Sequence, residues 1–183
     1  PAWIISRGNT MAELMGWSKF IALQVEYSLI QRTPERELLP MAKSFGMTVT
    51  PWAPLAGGAL TGKYLKGDKG RLAEKSKRLN ENSTRITQEV VAIAESMGVP
   101  PAHVALKWTT MQGFSSIPIV GATKISHVEE NLKALDCSLS PEHLVRLDEA
   151  SKIDLGFPGE FFKEEGVKQV TFGGFFDRIE KRD

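Results

Sequence analysis

The segment GGALTGKY, residues 57–64, places Gly57, Gly58 and Gly62 beside Lys63. Glycine lets a backbone turn sharply and approach a ligand closely, and lysine adds a mobile cation, so this composition suits a phosphate cradle. Against the phosphate-loop pattern G-x-x-x-x-G-K-[ST], Gly57, Gly62 and Lys63 match, but Tyr64 stands where a hydroxyl would hold Mg²⁺. The continuation LKGDKGRLAEK is interrupted by glycines and starts no strong helix. Neither FIALQV nor SSIPIV ends in the Asp that would share such a metal. A P-loop ATPase is therefore not expected. Two readings stay open from the residues alone: a loop that binds phosphate by geometry, and a loop that only turns the chain.

Little else in the chain offers reactive chemistry. Cys137 is the single cysteine, cannot form an internal disulfide, and reads as a small semi-buried apolar residue in a reducing compartment. His103 and His143 read as ordinary helix residues, and no His/Cys/Asp spacing suggests a metal.

Three apolar runs read as buried strands that could position the glycine loop: FIALQV at 20–25, MTVTPW at 47–52 and SSIPIV at 115–120. Between the first two, TPERELLPMAKSFG offers Thr33 as N-cap, Pro34 at the first helical position and Gly46 as the stop. Pro40 removes a helical N–H, so the regular helix is expected to begin near Glu37. The run STRITQEVVAIAESMG spaces Ile86, Val90, Ile93, Ala94 and Met97 as one helical face closed by Gly98. PAHVALKWTTMQG follows with Val104, Ala105, Trp108 and Met111 as core candidates, ended by Gly113. SHVEENLKAL carries a capping box, Ser126 with Glu129, and SPEHL opens a last helix with Ser140 as cap. The tail from Ile153 reads as loops packed on the body plus a short helix.

Strands alternating with helices indicate a parallel α/β architecture, and three strands are too few to leave without neighbours. The chain is therefore expected to be a piece of a larger sheet or barrel, or to find strands in another chain by self-association. With 42% hydrophobic and 25% charged residues and 23 Lys plus Arg against 22 Asp plus Glu, no global field points to nucleic acid or an anionic membrane. No run approaches the roughly 20 apolar residues of a membrane span, and no signal peptide is visible, so a cytoplasmic protein is expected. The start at Pro1, without Met, hints that residues precede it.

The order ALQVEYSLIQR, ERELLPMAKSFGMTVTPWAPLAGGALTGKY and IPIVGATKISHVEENLKAL resembles the C-terminal half of aldo-keto reductases, over nearly the whole chain. The resemblance implies a (β/α)₈ TIM barrel, with residues 1–183 its last three or so βα units plus C-terminal helices, and 153–183 its tail. It implies hydride transfer between NADPH, with NAD less favoured, and a small aldehyde or ketone, at the C-terminal mouth of the strands. Gln24, at the end of the first strand, matches the residue that hydrogen-bonds the nicotinamide carboxamide, and Trp52 the aromatic that stacks on the ring. Leu55, Gly57 and Lys63 match the pyrophosphate loop. Residues 63–78, with seven Lys or Arg against two acids, suit a cover over an anionic cofactor, or a solvated basic loop. Gly121, Ala122, Thr123 and Lys124 match the turn for the adenosine 2′-phosphate, with Glu130 and Asn131 at the adenine. His127 stands where relatives often carry Arg or Gln, which weakens but does not reverse the NADP preference.

The family's catalytic Asp, Tyr, Lys and His fall before residue 1, and neither Tyr27 nor Tyr64 takes the catalytic position. The resemblance thus implies a cofactor-binding half that is inert alone. The other reading is a non-catalytic nucleotide-binding or assembly subunit of the same superfamily.

Overall fold

The computed structural model describes residues 1–73 and 75–179. The chain opens on α1, Ala2–Met15, which stops at left-handed Gly16. Two parallel strands follow, β1 (Ala22–Glu26) and β2 (Thr48–Trp52), with Gln24 opposite Thr50 and Glu26 opposite Trp52. Their crossover is a 3₁₀ turn, Thr33–Arg36, and then α2, Leu38–Ser44. Pro40 falls in the first turn of α2, where its missing N–H has no intrahelical partner to lose, and so the helix starts just after Glu37 as expected. Thr33 does not cap; its hydroxyl donates to the Gln31 side-chain oxygen at 2.8 Å.

Residues 115–119 run beside β2. The Val49 amide donates to the Ser115 carbonyl at 2.8 Å, and the Ile117 and Ile119 amides donate to the Val49 and Pro51 carbonyls at 2.9 and 2.8 Å. Pro51 has no N–H to return to Ile117, so the ladder breaks into two isolated parallel bridges, Val49–Ser116 and Trp52–Ile119. The third strand of the sequence reading is therefore in place but not regular.

Those strands are also buried on one face only, which corrects the expectation of two buried faces. Leu23 and Val49 enter the core, together with Ile86, Val90, Ile93, Val104, Trp108 and Leu147. Strand side chains alternate, so Gln24, Thr50 and Trp52 project from the opposite face with Ile117 and Ile119. That face is open among the described residues, with Gln24, Trp52, Ile117 and Ile119 all exposed.

The helices supply the covering layer. Asn80 and Ser83 form a reciprocal capping box at the start of α3, Glu81–Met97, a few residues earlier than the apolar stripe indicates. In α4, Pro101–Thr110, Val104, Ala105 and Trp108 are buried, whereas Met111 lies beyond the helix end and is exposed, against expectation. α5 spans Ile125–Lys133, so Ser126 is already inside the helix, and the Ser126/Glu129 box does not form. In α6, Pro141–Ser151, Ser140 caps as expected, accepting from the His143 amide at 3.2 Å. Cys137 is buried, and burial raises its thiol pKa. The tail, with α7 at Glu165–Phe172, touches the body mainly at its start, where Arg36 donates to the Asp154 carbonyl at 2.9 Å. Phe157, Phe162 and Phe175 stay exposed, so most of the tail is not packed down as expected. Among the described residues no helix is long and apolar enough to cross a membrane.

One polar network ties the layers together. Arg32 donates to Glu35 from Nε and Nη2 at 2.6 and 3.1 Å, and from Nη1 to Asp148 Oδ1 and Ser151 Oγ at 3.1 and 2.7 Å. Its guanidinium lies over the Trp108 ring, whose indole N–H donates to Asp148 at 3.0 Å. Tyr27, almost wholly buried, donates its hydroxyl to Glu35 at 2.7 Å. Burial first, and then the Glu35 carboxylate, hold the Tyr27 pKa far above its ordinary value.

A folded pKa raised above the unfolded one confers stability that is complete below the unfolded pKa, about 10, and is lost as pH rises past it. Denaturant titrations of wild type and Tyr27→Phe between pH 8 and 11 should therefore show a steeper alkaline loss in wild type. Parallel curves would mean that Tyr27 ionises as readily folded as unfolded.

Candidate functional site

In parallel α/β structures, groups at the C-terminal ends of the strands converge where loops can close over a ligand. Here that edge carries Glu26, Trp52 and Ile119. Trp52 is where the sequence places it, ending β2, and is 39% exposed. Gln24 is neither buried nor at a strand end: β1 continues to Glu26, leaving Gln24 exposed in its middle and on the same face as Trp52.

After Trp52 the backbone turns through residues of positive φ: Ala53 (52°), Ala56 (51°), Gly57 (70°), Gly58 (94°) and Gly62 (79°). For the two alanines this conformation is strained, and strain of that kind concentrates at functional loops. The Gly57 and Gly58 pair breaks what would otherwise be one 3₁₀ run over Ala56–Thr61. Gly62 admits no side chain, since a Cβ there would meet Val91 Cγ2 at 2.8 Å as well as facing the φ penalty. Gly62→Ala should accordingly cost about 1–2 kcal/mol in chemical denaturation, from left-handed strain alone. No measurable loss would mean that the loop relaxes freely at this position.

Lys63 folds back over its own loop. Its ammonium lies 5.0 Å from the Tyr64 ring centroid and close enough to Gly58 that a Cβ there would meet it at 3.0 Å. Tyr64 is thus not a defective magnesium ligand. It stacks under Lys63, and its hydroxyl accepts from the Leu72 amide at 2.9 Å, pinning the basic segment to the glycine loop. At the far end of that segment Arg78 pairs with Glu26 and sits 5.9 Å from the Trp52 ring centroid. Glu26 and Arg78 line a cavity of about 320 Å³ with Gln31 and Asn80. Neither Glu26 nor Arg78 stood out in the sequence, where 52 residues separate them; the only signals were the acid after the first strand and the basic run.

The second group of candidates follows residues 115–119. Gly121, Thr123, Lys124 and His127 are exposed, and Lys124 occupies the N-cap position of α5 without any side-chain cap. The amides of the first turn of α5 therefore carry no side-chain acceptor, and the helix dipole adds a partial positive charge beside Lys124. Gly121 needs no special φ, and a Cβ there would meet nothing within 4 Å, so no contact within the fold requires a glycine. Glu130 lies farther along α5, with Oε2 3.2 Å from Lys133 Nζ and Oε1 3.0 Å from His103 Nε2. The hydrogen bond from Lys133 leads the causes that lower its pKa, so it is a carboxylate near neutrality. Asn131 is half-buried at an apolar cleft of about 480 Å³ between residues 116–120, α4 and α5. No cluster of three or more His, Cys, Asp or Glu among the described residues could hold a metal.

An exposed indole ends a parallel strand, a glycine loop carries a lysine, and a helix start with Thr and Lys has no side-chain cap: chemically these are a face for ring stacking and two settings for an anion. The family model described as "Aldo/keto reductase family" matches residues 5–152. The chain belongs to the aldo/keto reductase family.

A probable aryl-alcohol dehydrogenase of Saccharomyces cerevisiae is 28% identical over 172 residues, 90% of this chain and 52% of that protein. The aryl-alcohol dehydrogenase [NADP(+)] of Phanerodontia chrysosporium is 31% identical over 190 residues, 97% of this chain and 49% of that protein. The norsolorinic acid reductase of Aspergillus flavus is 29% identical over 164 residues, 90% of this chain and 42% of that protein. The chain spans about half the length of these curated relatives. All three relatives are named as oxidoreductases, and the name of one specifies NADP(+).

Proposed function

We propose that residues 1–183 form the C-terminal, cofactor-binding part of one (β/α)₈ barrel of an NADP(H)-dependent aldo-keto reductase, reducing a small aldehyde or ketone. The observation that carries this reading is the single open face on which Gln24 and Trp52 stand together, flanked by the glycine loop. A bound nicotinamide would supply the hydride. Trp52 offers a ring for stacking, and Gln24 offers an amide with both donor and acceptor to a carboxamide. Leu55, Gly57 and Lys63 would border the pyrophosphate, with the segment pinned by Tyr64 as cover. Gly121, Thr123 and Lys124 would hold the 2′-phosphate with His127 beside it, and Glu130 and Asn131 the adenine.

Proton transfer falls outside this set. The Tyr27 hydroxyl is buried and donates to Glu35, so it is not free to protonate a carbonyl, and Tyr64 stands in the loop after β2 rather than at the position the family resemblance gives the catalytic Tyr. We assign the proton to the Asp, Tyr, Lys and His of the barrel part that this chain does not span, and expect these 183 residues alone to be inactive. The names of the relatives suggest aromatic alcohols and carbonyls as the substrate class.

Binding is testable on the chain itself. Adding NADPH should quench tryptophan fluorescence through Trp52, and Trp52→Phe should remove most of that response, while buried Trp108 serves as the internal reference. No response up to millimolar NADPH would sink the binding claim. A second reading, an assembly subunit, is favoured by one observation: Ile117, Ile119, Ile125 and Leu132 stay exposed along the open strand edge and α5. Light scattering that shows a concentration-independent monomer would count against it.

A further inference from the structure

His103 sits in α4 and is 5% exposed, yet its ring nitrogen reaches a proposed cofactor residue on another helix. Nε2 lies 2.8 Å from the Glu130 carbonyl oxygen and 3.0 Å from Glu130 Oε1. Both of these atoms accept, so the geometry requires Nε2 to carry the proton and donate to them. The second carboxylate oxygen faces Lys133 at 3.2 Å. The Glu130 carboxylate is thus held at both oxygens, one of them by a buried and therefore fixed group. Its remaining lone pairs have a set direction, and the backbone of α5 is tethered to α4 at the same residue.

We propose that His103 is a positioning residue for the nucleotide: by holding the backbone and carboxylate of Glu130 together, it presets that carboxylate to accept from an exocyclic amino group such as that of adenine. The inference rests on the reading of Glu130 as an adenine contact. A flexible glutamate on an exposed helix would lose side-chain freedom on binding, whereas one clamped by a buried imidazole has already lost it. Lys133 cannot fill this role, because its own side chain is solvent-exposed and an exposed pair fixes neither partner firmly.

The test compares wild type, His103→Ala and His103→Gln, with adenosine 2′,5′-bisphosphate and reduced nicotinamide mononucleotide as separate probes in calorimetric titration. Gln keeps an N–H donor and guards against a simple folding defect. His103→Ala should weaken the bisphosphate about 5- to 10-fold, with His103→Gln recovering part of the loss and the mononucleotide unchanged in both. Equal weakening of both probes would reduce His103 to a general structural residue and overturn the proposal. Full affinity of His103→Ala for the bisphosphate would also overturn it while leaving the nucleotide site intact. Absence of bisphosphate binding by the wild type would instead overturn the reading of the site, and the role of His103 with it.

Discussion

Arg32→Ala is expected to lower unfolding stability by about 3 kcal/mol, the lower end of the range for breaking a buried ion pair. The side chain is 11% exposed and serves two carboxylates on different parts of the chain, Glu35 in the crossover and Asp148 in α6. Burial alone would lower the guanidinium pKa, but Glu35 above all, followed by Tyr27 and Asp148, raises it overall. Among the described residues, removing it leaves Glu35 bonded to Tyr27 alone and strips the Trp108 face of its cation. The loss should divide unequally. Asp148 is 45% exposed in its side chain and keeps its bond from the Trp108 indole, so solvent can replace much of what Arg32 gave it. Glu35, at 22%, cannot recover as fully. A double-mutant cycle in urea should therefore give a larger coupling for Arg32 with Glu35 than with Asp148. A loss for Arg32→Ala within about 0.5 kcal/mol, the level of an ordinary surface change, would mean that packing alone holds α6 to the crossover.

This network also shows where reading the sequence stops. β2, α3, α4 and the start of α6 are legible because each rests on local signals: a β-branched run, a 3.6-residue apolar stripe, a serine before proline. α1 gives no such signal, because its buried residues are Ala2, Asn9 and Ala12, while Trp3, Leu14 and Met15 face outward. Asn9 is buried because its amide both donates to the Phe20 carbonyl and accepts from the Phe20 amide, at 3.2 and 2.9 Å. A polar residue that supports a turn 11 positions away carries no periodicity to find. The candidate site divides in the same way. Trp52, Lys63 and Lys124 stand in contiguous motifs, but the clamps beside them, Arg78 with Glu26 and His103 with Glu130, join residues 52 and 27 positions apart. Only the fold brings them together.

Lys124→Ala should discriminate between the two nicotinamide dinucleotides. Lys124 precedes the first turn of α5, where no side chain caps the amides and the helix dipole is positive, so a phosphate bound there would meet a cation and a set of N–H donors together. NADPH and NADH differ by that phosphate alone. A charge-assisted hydrogen bond contributes roughly 1.5–3 kcal/mol, which converts to about 10- to 150-fold in Kd for NADPH. NADH, which offers nothing to Lys124 at the 2′ position, should change less than about 2-fold, because the exposed lysine side chain makes no hydrogen bond or ion pair among the described residues that its loss would disturb. Lys124→Arg should retain most of the preference, since the charge and a fork of donors persist. Equal losses for both cofactors in Lys124→Ala would move the 2′-phosphate away from α5. The basic segment with Lys63 would then be the next place to look for it, since it is the other concentration of cations beside the open strand face.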